Sequence, residues 1–93
     1  MDLICLADRI ADVRQRIADS VCGLTLDEHQ HNALAFISSR LDEMESECRS
    51  GSLKPKDLRY AELSRIAVET DPAVLSSDLG GLMIEVEKKY QKA

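Results

Sequence analysis

The sequence predicts an all-α protein, a single compact four-helix domain with short connections over residues 1–93, and three observations predict it. Apolar residues recur at steps of three and four along most of the chain, the spacing that lines one face of a helix. Aromatic residues make up 3% of the composition and there is no Trp. The core must therefore be aliphatic, which suits helices packed on helices better than stacked β-branched strands. Helix boundaries are also written into the chain, at Gly23, Ser50-Gly51-Ser52, Pro55 and Asp71-Pro72. At 93 residues the chain is long enough for one modest core and too short for a catalytic plus a regulatory domain.

The first helix is expected over 3–21, on the stripe Leu3, Leu6, Ile10, Val13, Ile17 and Val21, with Asp8, Asp12, Arg16 and Asp19 off it. Gly23 supplies the left-handed residue that ends it. Thr25 and Glu28 have the spacing of a capping box, so the second helix is expected over 26–49. Its stripe is Ala33/Leu34, Ile37, Leu41, Met44 and Cys48, widened by Phe36, and it should be the longest of the four. The third is expected over 55–69, because Pro55 fits the first helical position and Asp71-Pro72 repeats that arrangement with a carboxylate cap. Leu58, Ala61, Leu63, Ile66, Ala67 and Val68 cover a wide arc of it, which predicts a central helix with several neighbours. The fourth is expected over 72–90, on Leu75, Leu79, Leu82, Met83, Val86 and Tyr90, followed by cations suited to a helix C-terminus. Gly80-Gly81 interrupts it, at up to about 1 kcal/mol per glycine relative to Ala. Either another helix crosses closely there or the helix starts at Ser77 or Asp78; close crossing is the favoured reading.

Composition excludes several functions. Acidic residues outnumber basic ones by 17 to 12, giving a net charge of −5. That argues against nucleic acid or an anionic lipid surface as a partner, since both need clustered Lys and Arg. The N-terminus has no basic region before an apolar run, and no apolar stretch is long enough to cross a bilayer, so the protein is expected in the cytoplasm. Cys5, Cys22 and Cys48 are an odd number at unmatched spacings and read as reduced, mostly buried thiols.

Catalytic and metal signatures are weak. His29 and His31, the only histidines, point in different directions on a helix and have no cysteine at metal-site spacing; they read as solvated positions. The cysteines lack the basic surroundings of a nucleophile, and Gly80-Gly81 has no Lys or Ser/Thr at phosphate-loop spacing. The chain is not expected to be an enzyme or to carry a metal or cofactor.

The run Asp42-Glu43-Met44-Glu45-Ser46-Glu47 is different. It places carboxylates in the C-terminal half of a helix, where the dipole disfavours them, and pairs Glu43 with Glu47 at i, i+4. It reads either as a solvated face, partly relieved by Arg49, or as a docking surface for a basic partner.

Two stretches carry a family resemblance. Leu34-Ala35-Phe36-Ile37-Ser38-Ser39-Arg40-Leu41 resembles the second helix of the small helical immunity proteins that bacteria make against their own type VI secretion toxin that degrades NAD and NADP. Leu53, Leu58, Leu63, Ile66-Ala67-Val68 and Glu69-Thr70-Asp71-Pro72 resemble the part that follows, although residues 42–52 form a longer connection and residues 68–71 a shorter one than in the family. The resemblance implies a cytoplasmic protein that binds the catalytic domain of a cognate toxin and occludes its substrate cleft. On that reading the contact residues are Asp42, Glu43, Glu45, Glu47, Glu69 and Asp71, facing a basic cleft that handles nucleotide phosphates. Two other readings stand beside it: immunity to a different nucleotide-using toxin, and a helical adaptor or secretion chaperone working through an apolar groove.

Overall fold

The computed structural model describes residues 3–59, 63–70 and 74–93. They form four α-helices and one 3-10 turn: α1 (Leu3–Val21), α2 (Glu28–Ser50), the 3-10 turn Lys56–Leu58, α3 (Leu63–Glu69) and α4 (Ser77–Lys92). There is no strand among the described residues, and the fold is the all-α, four-helix domain that the periodicity predicts.

α1 is the centre. It packs along α2 on one side and against α4 on the other, while α3 rests mainly on α4. Leu6, Ile10, Val13 and Ile17 of its stripe are buried, and so is Ala7 beside the stripe, as a helix with two neighbours requires. They meet Ile37, Leu41, Met44 and Cys48 of α2, Leu63 of α3, and Met83, Val86 and Tyr90 of α4 in one aliphatic core. The radius of gyration, 12.9 Å, is close to the roughly 12.3 Å of a compact chain of this length.

α2 begins two residues later than expected, because Asp27 and not Thr25 caps it. The Gln30 N–H donates to Asp27 Oδ1 at 2.7 Å, and the Asp27 N–H donates to Gln30 Oε1 at 3.1 Å. This is the reciprocal capping box with Asp-x-x-Gln in place of Thr-x-x-Glu. At the other end Gly51, at φ 72°, closes the helix by donating its N–H to the Glu47 carbonyl. Phe36 does not widen the core; it stands exposed, with the Arg40 guanidinium 6.0 Å from its ring centroid.

The largest departure lies in 55–69. A single 3-10 turn replaces the start of the expected third helix, and α3 supplies its last seven residues. Arg59 ends the turn at φ −90°, ψ 50°, outside the helical region, and its side chain turns inward. Leu58 is 53% and Val68 83% exposed, while Leu63 is fully buried. The wide apolar arc therefore belongs to two short pieces with separate faces, and not to one central helix; Ala61 lies outside the described residues.

In α4 both readings of the glycine pair hold. The helix starts at Ser77, with the Ser76 hydroxyl accepting the Leu79 N–H at 3.3 Å, so it does not run from Pro72, which lies outside the described residues. Leu75 is buried in the turn before the helix. Gly80 also faces a crossing helix: a Cβ there would meet Ala67 Cβ at 3.7 Å, and no atom would lie within 4 Å of one at Gly81.

Candidate partner-binding surface

The acidic run lies on the C-terminal half of α2, and the fold gives each of its carboxylates a cation. Arg14 of α1 reaches Asp42 and Glu45, both at 2.8 Å. Arg49 holds the other oxygen of Glu45 at 2.8 Å and extends to Asp8 at 3.2 Å. Arg40 pairs with Glu43 at 2.8 Å, and Lys54 with Glu47 at 3.5 Å. The repulsion visible in the sequence is thus answered from α1, from α2 itself and from the segment after it.

These contacts divide the run in two. Glu45 and Glu47 are 14% and 16% exposed and serve the fold. Glu47 also accepts the Tyr90 hydroxyl at 2.8 Å and the Lys54 backbone N–H at 3.2 Å, which ties α2 to the end of α4. Asp42 and Glu43 are 76% and 50% exposed and point outward, each held by an arginine. Their charge is presented in a fixed place, which lowers the ordering cost of any contact they make. Glu69 ends α3, far from this row. It lines a cleft with residues from the first turns of α2, roughly 14 Å along the helix axis from Asp42. Asp71 lies outside the described residues.

Two buried charges escaped the sequence reading. Glu87 accepts the Leu63 N–H and the Ser64 hydroxyl, both at 2.7 Å, and so caps α3 from α4. Its position beside Met83, Val86 and Tyr90 on the buried face was the available signal. Arg59 donates to the carbonyls of Lys54, at 2.6 Å, Tyr90 and Ala93, and clamps the end of α4 to the incoming loop. Nothing in the spacing around Arg59 marks it as buried.

Titration follows from this packing. Burial first, then the bond to Glu47 and its charge, raise the Tyr90 phenol well above its ordinary value. Burial and the nearby Glu47 push the Cys48 thiol up as well, so it is the least nucleophilic kind of cysteine. Cys5 and Cys22, by contrast, are exposed and not buried as expected. Glu85 is held below the usual carboxylate range by the Lys89 hydrogen bond first, then by the charges of Lys89 and Arg9. Paired carboxylates of this kind serve as fixed acceptors and not as proton donors near neutral pH.

His29 and His31 are exposed, and the described residues contain no group of three or more His, Cys, Asp or Glu arranged to hold a metal ion. None of the helices they form is long and apolar enough to cross a membrane. The surface does carry an apolar groove of about 250 Å³ between the C-terminal half of α1 and the N-terminal half of α2, lined by Ile17, Val21, Leu26 and Leu34 with Ala18 and Ala35. No family model matches the chain, and neither a curated protein nor a solved structure matches it.

Proposed function

We propose that this protein is an immunity protein: it binds the catalytic domain of a cognate type VI secretion effector, an NAD(P)-degrading toxin, in the cytoplasm and occludes the toxin's substrate cleft. It catalyses nothing and needs no cofactor in this role. The observation that carries the reading is the outward pair Asp42 and Glu43, exposed yet fixed by Arg14 and Arg40, on a molecule of net charge −5. Ordered negative charge suits a basic cleft built for nucleotide phosphates, and it speeds encounter and rejects acidic partners. The resemblance of residues 34–41 and 53–72 supplies the identity of the toxin. A toxin lethal at few copies calls for a nanomolar complex, about −12 kcal/mol, over roughly 1,600 Å² of buried surface.

The apolar groove between α1 and α2 favours a second reading, a helical adaptor or secretion chaperone that holds an apolar segment of its client. One experiment separates the two. The tagged protein is captured from its native cells with a high-salt wash, and the bound partner's catalytic domain is assayed for NAD(P) consumption with and without added protein. Stoichiometric inhibition is the expected result. Recovery of secretion-apparatus components alone, or a partner whose NAD(P) consumption is unaffected at saturation, removes the immunity reading.

A further inference from the structure

Glu69 breaks the rule that governs the other carboxylates at helix ends. Asp19, near the end of α1, accepts from Gln15 Nε2 at 2.9 Å, and Glu47, near the end of α2, is held by Lys54 and Tyr90. Both sit where the helix dipole opposes a negative charge, and both have a donor that offsets it. Glu69 is the last residue of α3, at the same unfavourable end, and among the described residues its carboxylate has neither a hydrogen bond nor an ion pair. The Thr70 hydroxyl beside it is already committed, to the Ile66 carbonyl at 2.7 Å.

A cleft of about 330 Å³ opens next to this carboxylate, between α3 and the first turns of α2. Ala33 and Ile66 give it an apolar lining; Asp27, whose capping bond uses Oδ1, and His29 stand at it from the α2 side. An apolar wall leading to an unpaired carboxylate matches an aliphatic stem that ends in a cation. Acidic side chains are repelled there, and a purely apolar one leaves Glu69 unanswered. Resting on the reading that the partner is a protein with a basic surface, we infer that this cleft receives a lysine or arginine side chain of that partner, its stem on Ala33 and Ile66 and its charge on Glu69. The contact is separate from the Asp42–Glu43 pair and gives the complex a second anchor that fixes orientation.

The test starts without the partner. The ¹⁵N-labelled protein is titrated with Nα-acetyl-lysine amide and with Nα-acetyl-norleucine amide, which has a similar stem and no charge, while backbone amide shifts are followed. The expected result is a steeper initial slope for the lysine compound at Ala33, Glu69 and Thr70, reduced by up to about fivefold in Glu69→Gln and weakened by added salt. Glu69 is exposed, so the variant keeps the fold, and the unchanged remainder of the spectrum verifies this. Equal slopes for both compounds, or a response indifferent to Glu69→Gln, overturns the inference. A lysine response at the cleft sustains it even if no NAD-consuming partner is captured. A toxin inhibited equally well by wild type and Glu69→Lys overturns it while leaving the immunity reading intact.

Discussion

Tyr90 shows at the scale of one residue how the fold uses what the sequence leaves ambiguous. Its place on the buried stripe of α4 is legible from spacing, but its hydroxyl partner Glu47 is 43 positions away, in a run whose spacing alone marks it as surface charge. Periodicity tells which face of α2 is apolar; it does not tell that the end of α4 reaches the polar margin of that face. The contact has a consequence for pH. The folded-state pKa of Tyr90 is raised, so above about pH 10, where an unfolded tyrosine loses its proton, the folded chain keeps one more proton than the unfolded chain. Stability from this group is therefore fully present below that pH and falls as pH rises further. In a Tyr60→Phe background, where Tyr90 alone reports, tyrosinate absorbance should appear together with loss of helical circular dichroism and not before it. Tyr90→Phe should flatten the slope, leaving the share of the Cys48 thiol, which is raised as well, and cost about 1–2 kcal/mol at neutral pH, because it leaves one buried acceptor bond of Glu47 unmade. Tyrosinate formed in a still-folded chain would place Tyr90 outside the core.

At the scale of elements, α1 and the body of α2 were legible because each has a single uninterrupted stripe and an unmistakable glycine stop. The third element was not. Leu58 and Val68 counted toward one broad apolar face only while 55–69 was one helix; Arg59 breaks it, and each of these side chains then faces solvent. The break depends on carbonyl acceptors at Lys54, Tyr90 and Ala93, which no local pattern announces. The glycine pair of α4 can be tested directly. Gly81 is helical and open, so Gly81→Ala should raise stability by up to about 1 kcal/mol, or about 4–8 °C in thermal midpoint. Gly80→Ala should gain less than that or match it, since its methyl meets Ala67 at an ordinary 3.7 Å. Gly80→Leu has no room and should separate α3 from α4, seen as lost amide-exchange protection in α3 with α1 and α2 still protected. If Gly81→Ala lowers the midpoint, the backbone there is not helical.

Over the whole molecule the carboxylates that hold the fold and those that only face outward can be separated by substitution. Glu45 and Glu47 hold α1, α2 and α4 together, so reversing them tests folding and binding at once. Asp42 and Glu43 are the informative pair. Asp42→Lys leaves Arg14 its bond to Glu45, and Glu43→Lys costs one exposed i, i+3 contact, so together they should lower stability by no more than about 1 kcal/mol. Each reversal adds two positive charges, taking the net charge from −5 to −1. If the outward pair meets a basic cleft, the double variant should bind the captured toxin domain about ten- to a hundredfold more weakly, with a shallower dependence on salt. Glu45→Lys should behave in the opposite way, lowering the thermal midpoint because it leaves Arg14 and Arg49 facing a like charge inside the fold. Unchanged affinity and salt dependence in the double variant would take the outward pair out of the interface. The groove between α1 and α2 would then be the surface to substitute, with Val21→Glu as the counterpart, since a charge on its apolar wall should abolish binding there and leave a charged interface elsewhere untouched.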